Sequence, residues 1–254
     1  RRSLVRRGLS AVGAVAAAVG VVTVSMFMIG MRGDARAASD IFANALPATG
    51  ELKTMVMNLD IFTSKGESFG AIDLDGEMMP HTVSVIFGNE KIWRIANNGR
   101  TAVCDGKQQY LWMGSARQGT VVGAHGNLAD DLTILTDPAG IMALEKANAD
   151  SKKSKSNYKV KEADSEILMT IKAKPMGDFT NDYMLNTSVS ESQNRREYVF
   201  DKRTKLLKSL KIFMKVKGME ILVLETTSID YNSPLQAEQV AALPVGYKWI
   251  DARI

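Results

Sequence analysis

The chain has 254 residues, a formal net charge of +4 and a single cysteine. Residues 1–37 hold six Lys and Arg against one acidic residue, whereas residues 38–254 hold 26 against 27. The basic excess therefore belongs to the N-terminal segment, and the near-neutral remainder argues against a nucleic-acid-binding surface. Because Cys104 is the only cysteine, an internal disulfide is excluded. Cys104 itself is expected to be a small buried core residue.

Residues 8–31 contain no charged side chain. At a helical rise of about 1.5 Å per residue, this run is long enough to cross a hydrocarbon core of roughly 30 Å. More arginines precede the run than follow it, which places the amino terminus in the cytoplasm and the remaining chain outside. We therefore expect a single-pass transmembrane anchor.

A cleaved secretory signal is the alternative, with Ala35, Arg36 and Ala37 as a small-residue cleavage site before Ala38. A signal h-region usually spans about 7 to 15 residues, so the greater length of this one favours an anchor. Both interpretations give an N-terminal unit of residues 1–37, which is a basic n-region plus anchor or signal peptide. Residues 38–254 then form one extracytoplasmic domain. Because the chain begins with Arg, we also expect a preceding piece, such as a cytoplasmic domain.

Residues 38–46 place apolar side chains at helical spacing behind Ser39 and Asp40 as caps, which predicts a short amphipathic helix that Pro47 and Gly50 end. Residues 52–63 then alternate with a period of two. This alternation predicts a half-buried strand.

Short β-like runs with turn signals between them follow this strand. They comprise residues 67–74, 82–87, 91–96, 100–104 and 107–113. The dipeptides Asp75-Gly76, Asn98-Gly99 and Asp105-Gly106 tolerate positive φ, which predicts hairpins and an antiparallel meander. Residues 114–126 are rich in small residues and indicate a loop with a short strand around Val121-Val122.

Residues 130–148 predict a helix, with Asp137 as a cap and Pro138 in a first turn. The lysine-rich residues 150–157 indicate a solvated turn rather than a binding site. A second set of strands is predicted at residues 158–163, 166–173, 195–201, 206–217 and 219–229, before a helical turn at 236–243.

Several local strings in the chain also have a characteristic order and spacing. They are residues 100–112, Leu135-Thr136-Asp137-Pro138, Val199-Phe200-Asp201 with Leu206-Leu207, and residues 227–235. Together they resemble the periplasmic lipoprotein-carrier superfamily of the LolA and RseB type. The resemblance implies an α+β fold, in which a curved antiparallel β half-barrel is covered by a few helices and encloses an apolar cavity for acyl chains. Neither Arg94 nor Arg100 has a motif that matches the carriers' acyl-handling arginine.

The sequence lacks the GxxxxGK[ST], HExxH and CxxC motifs of phosphate-binding loops and metal sites. His81 and His125 are the only histidines, which is too few for a zinc site without other ligands. We therefore expect no enzymatic activity, no metal and no cofactor.

Apolar residues spread over the predicted strands are the remaining candidates for a ligand site. They are Met55, Met57, Phe69, Phe87, Trp93, Tyr110, Trp112, Met169, Phe213 and Met214. Methionine adapts to chains of variable shape, so these residues are predicted to line the apolar cavity. The alternative is that they fill an ordinary dry core.

The expected function is a periplasmic domain, tethered to the inner membrane by a single pass, that binds lipid or lipoprotein acyl chains. The sensing part of an envelope-stress or anti-sigma regulator is one form of this function, with a regulatory membrane protein as partner. A soluble lipoprotein carrier, secreted to the periplasm after cleavage at Ala37, is an alternative. A structural scaffold without a ligand is another.

Overall fold

The computed structural model describes residues 34–63, 76–123, 135–175, 189 and 192–252. No helix within these ranges is long and apolar enough to cross a membrane. The predicted anchor or signal at residues 8–31, the strand at 67–74 and the Asp75-Gly76 turn lie outside the described residues.

The first described helix, α1, spans residues 34–50, so it continues past Pro47 and ends at Gly50, the second of the two residues predicted to end it. The hydroxyl of Thr49 donates hydrogen bonds to the carbonyl oxygens of Ala45 (3.1 Å) and Leu46 (2.9 Å). Thr49 thus bonds back to the preceding turn, which ties the last turn of α1 to the rest of the helix beyond the proline.

Helix α2 spans Pro138–Asp150 and begins at the predicted cap. The Asp137 carboxylate accepts a hydrogen bond from the Gly140 backbone N–H at 3.0 Å, as an N-cap residue should. A Cβ at position 140 would lie 2.5 Å from Asp137 Oδ2, so glycine is needed for the cap to close. A short helix, α3, spans Ala237–Val240 within the predicted helical turn.

Within the described ranges, twelve strands form one sheet in the order β12-β6-β5-β4-β3-β2-β1-β11-β10-β9-β8-β7. They are β1 Thr54–Thr63, β2 Glu77–Ile86, β3 Ile92–Asn97, β4 Arg100–Cys104, β5 Gln108–Met113, β6 Gln118–Gly123, β7 Asn157–Glu162, β8 Glu166–Ala173, β9 Asn194–Asp201, β10 Leu207–Val216, β11 Met219–Tyr231 and β12 Lys248–Asp251. The curved, unclosed sheet with few helices fits the half-barrel implied by the resemblance.

Two predicted hairpin turns fix the register of the meander. The side-chain oxygen of Asn97 accepts hydrogen bonds from the backbone N–H groups of Gly99 and Arg100, at 3.0 and 2.9 Å. At the next turn Gly106 has a φ of +94°, which a residue without a Cβ adopts most readily. The short strand β12 was not predicted, because its four residues pair in parallel with β6 and show too little periodicity.

The sheet has an inner and an outer face, which carry different residues. The inner face carries Met57 on β1, Val83 on β2, Ile95 on β3, Met169 on β8 and Ile212 on β10, all of them buried. The outer face carries the residues that alternate with these, including Arg94, Tyr110 and Phe213. Adjacent side chains along a strand point to opposite faces, so the parity of each position decides its face.

Helices α1 and α2 cover the inner face of β7–β10. The ring of Phe42 on α1 meets the rings of Tyr198 and Phe200 on β9 edge-on, with centroids 5.7 and 6.0 Å apart. The hydroxyl of Ser39 on α1 donates to the carboxylate of Asp150 at the end of α2, at 2.6 Å. The two helices and the sheet thus share one buried core.

Candidate apolar site beneath helix α2

An apolar pocket lies between helix α2 and the inner face at the centre of the sheet. Its helical wall is Pro138, Ile141 and Met142, whose spacing of three and four residues puts them on one face of α2. Leu135, which precedes α2, also lines the pocket. The strands contribute Met55, Met57, Leu59, Tyr198, Leu207, Leu210, Ile212, Leu224, Thr226, Ile229 and Tyr231.

The three polar side chains in this lining are bonded to other protein groups. The Tyr198 hydroxyl donates to Glu145 Oε1 at 2.8 Å, and the Tyr231 hydroxyl donates to the Leu207 carbonyl oxygen at 2.8 Å. The Thr226 hydroxyl oxygen accepts from the backbone N–H of Leu210 at 2.8 Å. Burial raises the pKa of both tyrosine hydroxyls, which keeps them neutral at physiological pH. The pocket therefore offers a ligand an almost wholly apolar surface.

Glu145 fixes helix α2 to the sheet one turn beyond the pocket. Its carboxylate lies 3.1 Å from the Nε of Arg196, and it also accepts a hydrogen bond from Tyr198. The side chains of Glu145 and Arg196 are only 6% and 13% exposed. A buried carboxylate requires such partners, so this contact and the Ser39–Asp150 bond hold the C-terminal half of α2. The N-terminal half rests on apolar contacts around the pocket.

The free space in the pocket is about 40 Å³. A cavity of roughly 150 Å³ is known to hold a molecule the size of benzene, so an acyl chain needs more room than this structure leaves. Met55, Met57 and Met142 are part of the wall, and their unbranched side chains can change shape at low cost. The pocket is too small here for an acyl chain, but its lining is of the kind that can widen.

The residues predicted to line a cavity fall into three groups. Met55 and Met57 line the pocket. Phe87, Trp93, Met169 and Met214 belong to, or pack against, the two inner-face cores but do not line the pocket. Tyr110, Trp112 and Phe213 lie on the outer face, and Phe69 lies outside the described residues. A ligand-binding role for these ten residues stays a prediction.

The outer-face aromatic residues have other partners. Trp249 of β12 meets Tyr110 and Trp112 edge-on, with ring centroids 5.3 and 5.9 Å apart. The guanidinium of Arg94 lies 5.4 Å from the Trp112 ring centroid and donates to the carbonyl oxygen of Ala242. These contacts hold the C-terminal segment, residues 233–252, against the sheet.

Most of the pocket wall could not be predicted from the sequence. The helical residues Pro138, Ile141 and Met142 belong to a predicted helix, but nothing in the sequence indicated which strands it covers. The residues of β11 that face the pocket could not be identified either, because apolar residues occupy both faces of this central strand. The spacing of Pro138, Ile141, Met142 and Glu145 was the one available signal.

His81 is another buried polar group, and it lies on β2 opposite Leu59 of the pocket lining. Its Nδ1 lies 2.8 Å from the Met79 carbonyl oxygen, and its Nε2 lies 3.2 Å from the side-chain nitrogen of Asn97. The Asn97 oxygen is already engaged at the β3–β4 turn, so its NH₂ group must face His81. A neutral imidazole fits this arrangement, and burial lowers the pKa of His81. Among the described residues, no group of three or more His, Cys, Asp or Glu is placed to hold a metal ion.

No protein-family model matches the chain, and no curated protein matches its sequence. Several solved structures are similar to it, one being an uncharacterized conserved protein from Thermus thermophilus (8% identity, 85% of this chain and 99% of that chain, TM-score 0.49). The lipoprotein LppX of Mycobacterium tuberculosis is another (11% identity, 80% and 98%, TM-score 0.47). MucB in complex with MucA(peri) is a third (14% identity, 84% and 62%, TM-score 0.37).

These similarities concern the fold alone, and no ligand or partner follows from them. The chain spans 62% of the MucB chain that it matches.

Proposed function

We propose that residues 38–254 form an extracytoplasmic domain that binds acyl chains of lipids or lipoproteins in the pocket beneath α2. The observation that carries this proposal is the apolar lining, in which Tyr198, Thr226 and Tyr231 are already satisfied by protein partners. A polar ligand would lose hydrogen bonds to water there without replacing them. A hydrocarbon chain loses none and gains about 0.8 kcal/mol for each buried methylene group.

Entry of a chain requires the N-terminal half of α2 to move away from the sheet. That half rests on the sheet through Pro138, Ile141 and Met142, whereas Glu145 and Asp150 hold the other half by polar bonds. When the helix moves, an acyl chain can cover the apolar surface that it exposes, but nothing would replace a buried ion pair that the movement breaks. We therefore expect α2 to pivot about Glu145.

The proposal includes a location outside the cytoplasm and a membrane tether, both of which rest on the uncharged run of residues 8–31. It also includes service as the sensing part of an envelope-stress or anti-sigma regulator, with a regulatory membrane protein as partner. Of the similar structures, MucB is a protein whose complex with MucA(peri) has been solved. A freely diffusing carrier is the alternative if residues 1–37 are removed.

A photo-crosslinking experiment tests the pocket without confusion from the hydrophobic N-terminal run. The full chain is irradiated with a diazirine-bearing palmitate, and the modified peptides are identified by mass spectrometry. We expect modification of peptides that contain Met57 and Met142. Modification confined to residues 8–31, or absent altogether, would refute the proposal and favour a scaffold.

Two variants of helix α2 serve as a matched pair for this experiment. Ile141→Lys places a charge in the pocket and should lower crosslinking there at least tenfold. Leu144 lies on the same helix but is 60% exposed, so Leu144→Lys should leave crosslinking unchanged.

A further inference from the structure

The charges of residues 38–254 are unevenly distributed, although their sum is close to zero. Residues 145–217 contain 17 Lys and Arg against 10 Asp and Glu. The other two stretches, residues 38–144 and 218–254, together contain 9 against 17. Such an asymmetry points to a charged partner for one part of the molecule.

Part of this excess gathers at one edge of the sheet, beside strand β7. Lys159 and Lys161 occupy alternate positions of β7 and so share the outer face. Lys172 on β8 lies on the same face, because it pairs with Asn157. The turn that leads into β7 adds three more exposed lysines. We call this set the lysine face: Lys152, Lys153, Lys155, Lys159, Lys161 and Lys172.

Several acidic residues near the lysine face already have other partners. Asp150 pairs with Lys146 at 2.6 Å, and Glu162 pairs with Lys202 at 2.8 Å. Glu166 pairs with Lys208. Within the described part of the chain, the six lysines of the lysine face form no ion pair. Glu220, which pairs with Arg195, also attracts Lys172, and Asp164 lies in the turn after β7. The six lysines outnumber these two carboxylates, so the edge keeps a net positive charge.

The composition of the lysine face favours a broad anionic surface over a shaped ligand. Lysine is a flexible, strongly hydrated point charge, whereas recognition of individual phosphates or acidic side chains usually uses the rigid fork of arginine. Nucleic-acid surfaces add exposed aromatic rings, but Tyr158, the aromatic residue of β7, is buried. Leu168, opposite Lys161, is 41% exposed and supplies an apolar contact beside the lysines.

We propose that the lysine face binds the surface of a bilayer that contains anionic phospholipids. Each lysine close to such a surface raises the binding constant by about fivefold, and the attraction requires no fixed geometry. The contact would orient the domain with the β7 edge toward the membrane. It goes beyond acyl-chain binding and does not depend on the pocket, which opens on the inner face.

The test measures proximity to the bilayer, so that the hydrophobic run at residues 8–31 does not decide the result. The full chain is reconstituted with vesicles, and a fluorophore is attached at Ala163→Cys, in the exposed turn after β7. A control fluorophore is attached at Gly114→Cys, where an added Cβ has no atom within 4 Å. Cys104 is buried and should remain unlabelled. A quencher is carried on the lipid headgroups.

We expect strong quenching at position 163 in vesicles with phosphatidylglycerol and little in pure phosphatidylcholine. The quenching should fade at high salt, because salt screens exposed charges. Position 114 should be quenched weakly in both lipids. Equal quenching at the two positions, or quenching that ignores phosphatidylglycerol, would overturn the proposal.

Charge-reversal variants complete the test. Replacement of Lys159, Lys161 and Lys172 by Glu should lower the binding constant for the vesicle surface by at least about 100-fold, because each lysine contributes about fivefold. The control reverses Lys53, Lys107 and Lys248, which are exposed residues elsewhere in the chain, and should have little effect. Equal loss in both variants would overturn the proposal, as would binding of the lysine face to an acidic protein or nucleic acid without a response to anionic lipid.

Discussion

The two faces of the sheet are covered in different ways. On the inner face, α2 leaves a pocket and is fixed by the buried contact between Glu145 and Arg196. On the outer face, the C-terminal segment packs directly on the strands, and the ring of Trp249 sits where Gly119 has no side chain. Both regions are rich in apolar residues, but only the first combines a space with a covering element that is held at one end. Apolar composition alone therefore does not identify the ligand side.

The largest expected effect concerns the contact that holds α2. Glu145→Ala leaves the Arg196 charge buried without its partner and should lower the free energy of unfolding by about 3 kcal/mol or more. Urea denaturation measures this change. Lys146→Ala removes the neighbouring exposed pair with Asp150 and should cost less than about 1 kcal/mol. Similar losses in both variants would show that Glu145 does not fix the helix.

Two methionine substitutions separate the pocket from the surrounding core. Met142→Ala and Met169→Ala both remove a side chain that is 1% exposed and should each cost about 2 to 3 kcal/mol. Only Met142 lines the pocket, so only its replacement should enlarge the space and raise palmitate crosslinking severalfold. Equal crosslinking in the two variants would contradict the location of the site.

A glycine pair tests the outer covering. In Gly119→Ala the new Cβ would lie 2.3 Å from the Trp249 ring, so the ring must move, at a cost of about 1 to 2 kcal/mol. Gly114→Ala adds a Cβ in open space and should change the stability by less than about 0.5 kcal/mol. Palmitate crosslinking should be unchanged in both variants. A loss of crosslinking in Gly119→Ala would mean that the two faces are coupled.

The smallest expected effect is a dependence on pH. Burial lowers the pKa of His81 below its ordinary value of 6.5, so the unfolded chain binds a proton more readily than the folded one. His81 therefore contributes stability above pH 6.5 that is lost as the pH falls. Comparison of urea denaturation at pH 8 and pH 5 should show a smaller loss in His81→Gln than in the natural chain. An equal loss would assign the pH dependence to other groups.

Local rules predicted much of the fold. Alternation located β4 and β8 at their observed bounds, and the Asp137 cap and the turns at Asn98-Gly99 and Asp105-Gly106 follow from the chemistry of those residues. The resemblance supplied the curved, open sheet. Strand β12 was missed, because a short parallel edge strand depends on tertiary contacts such as that between Trp249 and Gly119.

The site was predicted less well than the fold. Trp93 and Trp112 look equivalent in the sequence, yet their registers place Trp93 on the inner face and Trp112 on the outer face. The face of each strand is set by its pairing with neighbours distant in the chain. The helical wall of the pocket depends in turn on where α2 packs, which no local pattern specifies.

Methionine methyl signals offer the most direct test of acyl-chain binding beneath α2. The full chain is labelled with ¹³C at the methionine methyl groups and mixed with stearate that carries a nitroxide near the end of its chain. Broadening should be strong at Met55, Met57 and Met142 and weak at Met219, which is 65% exposed at the β10–β11 turn. Broadening of Met219 with no change at the three pocket methionines would contradict the proposed site.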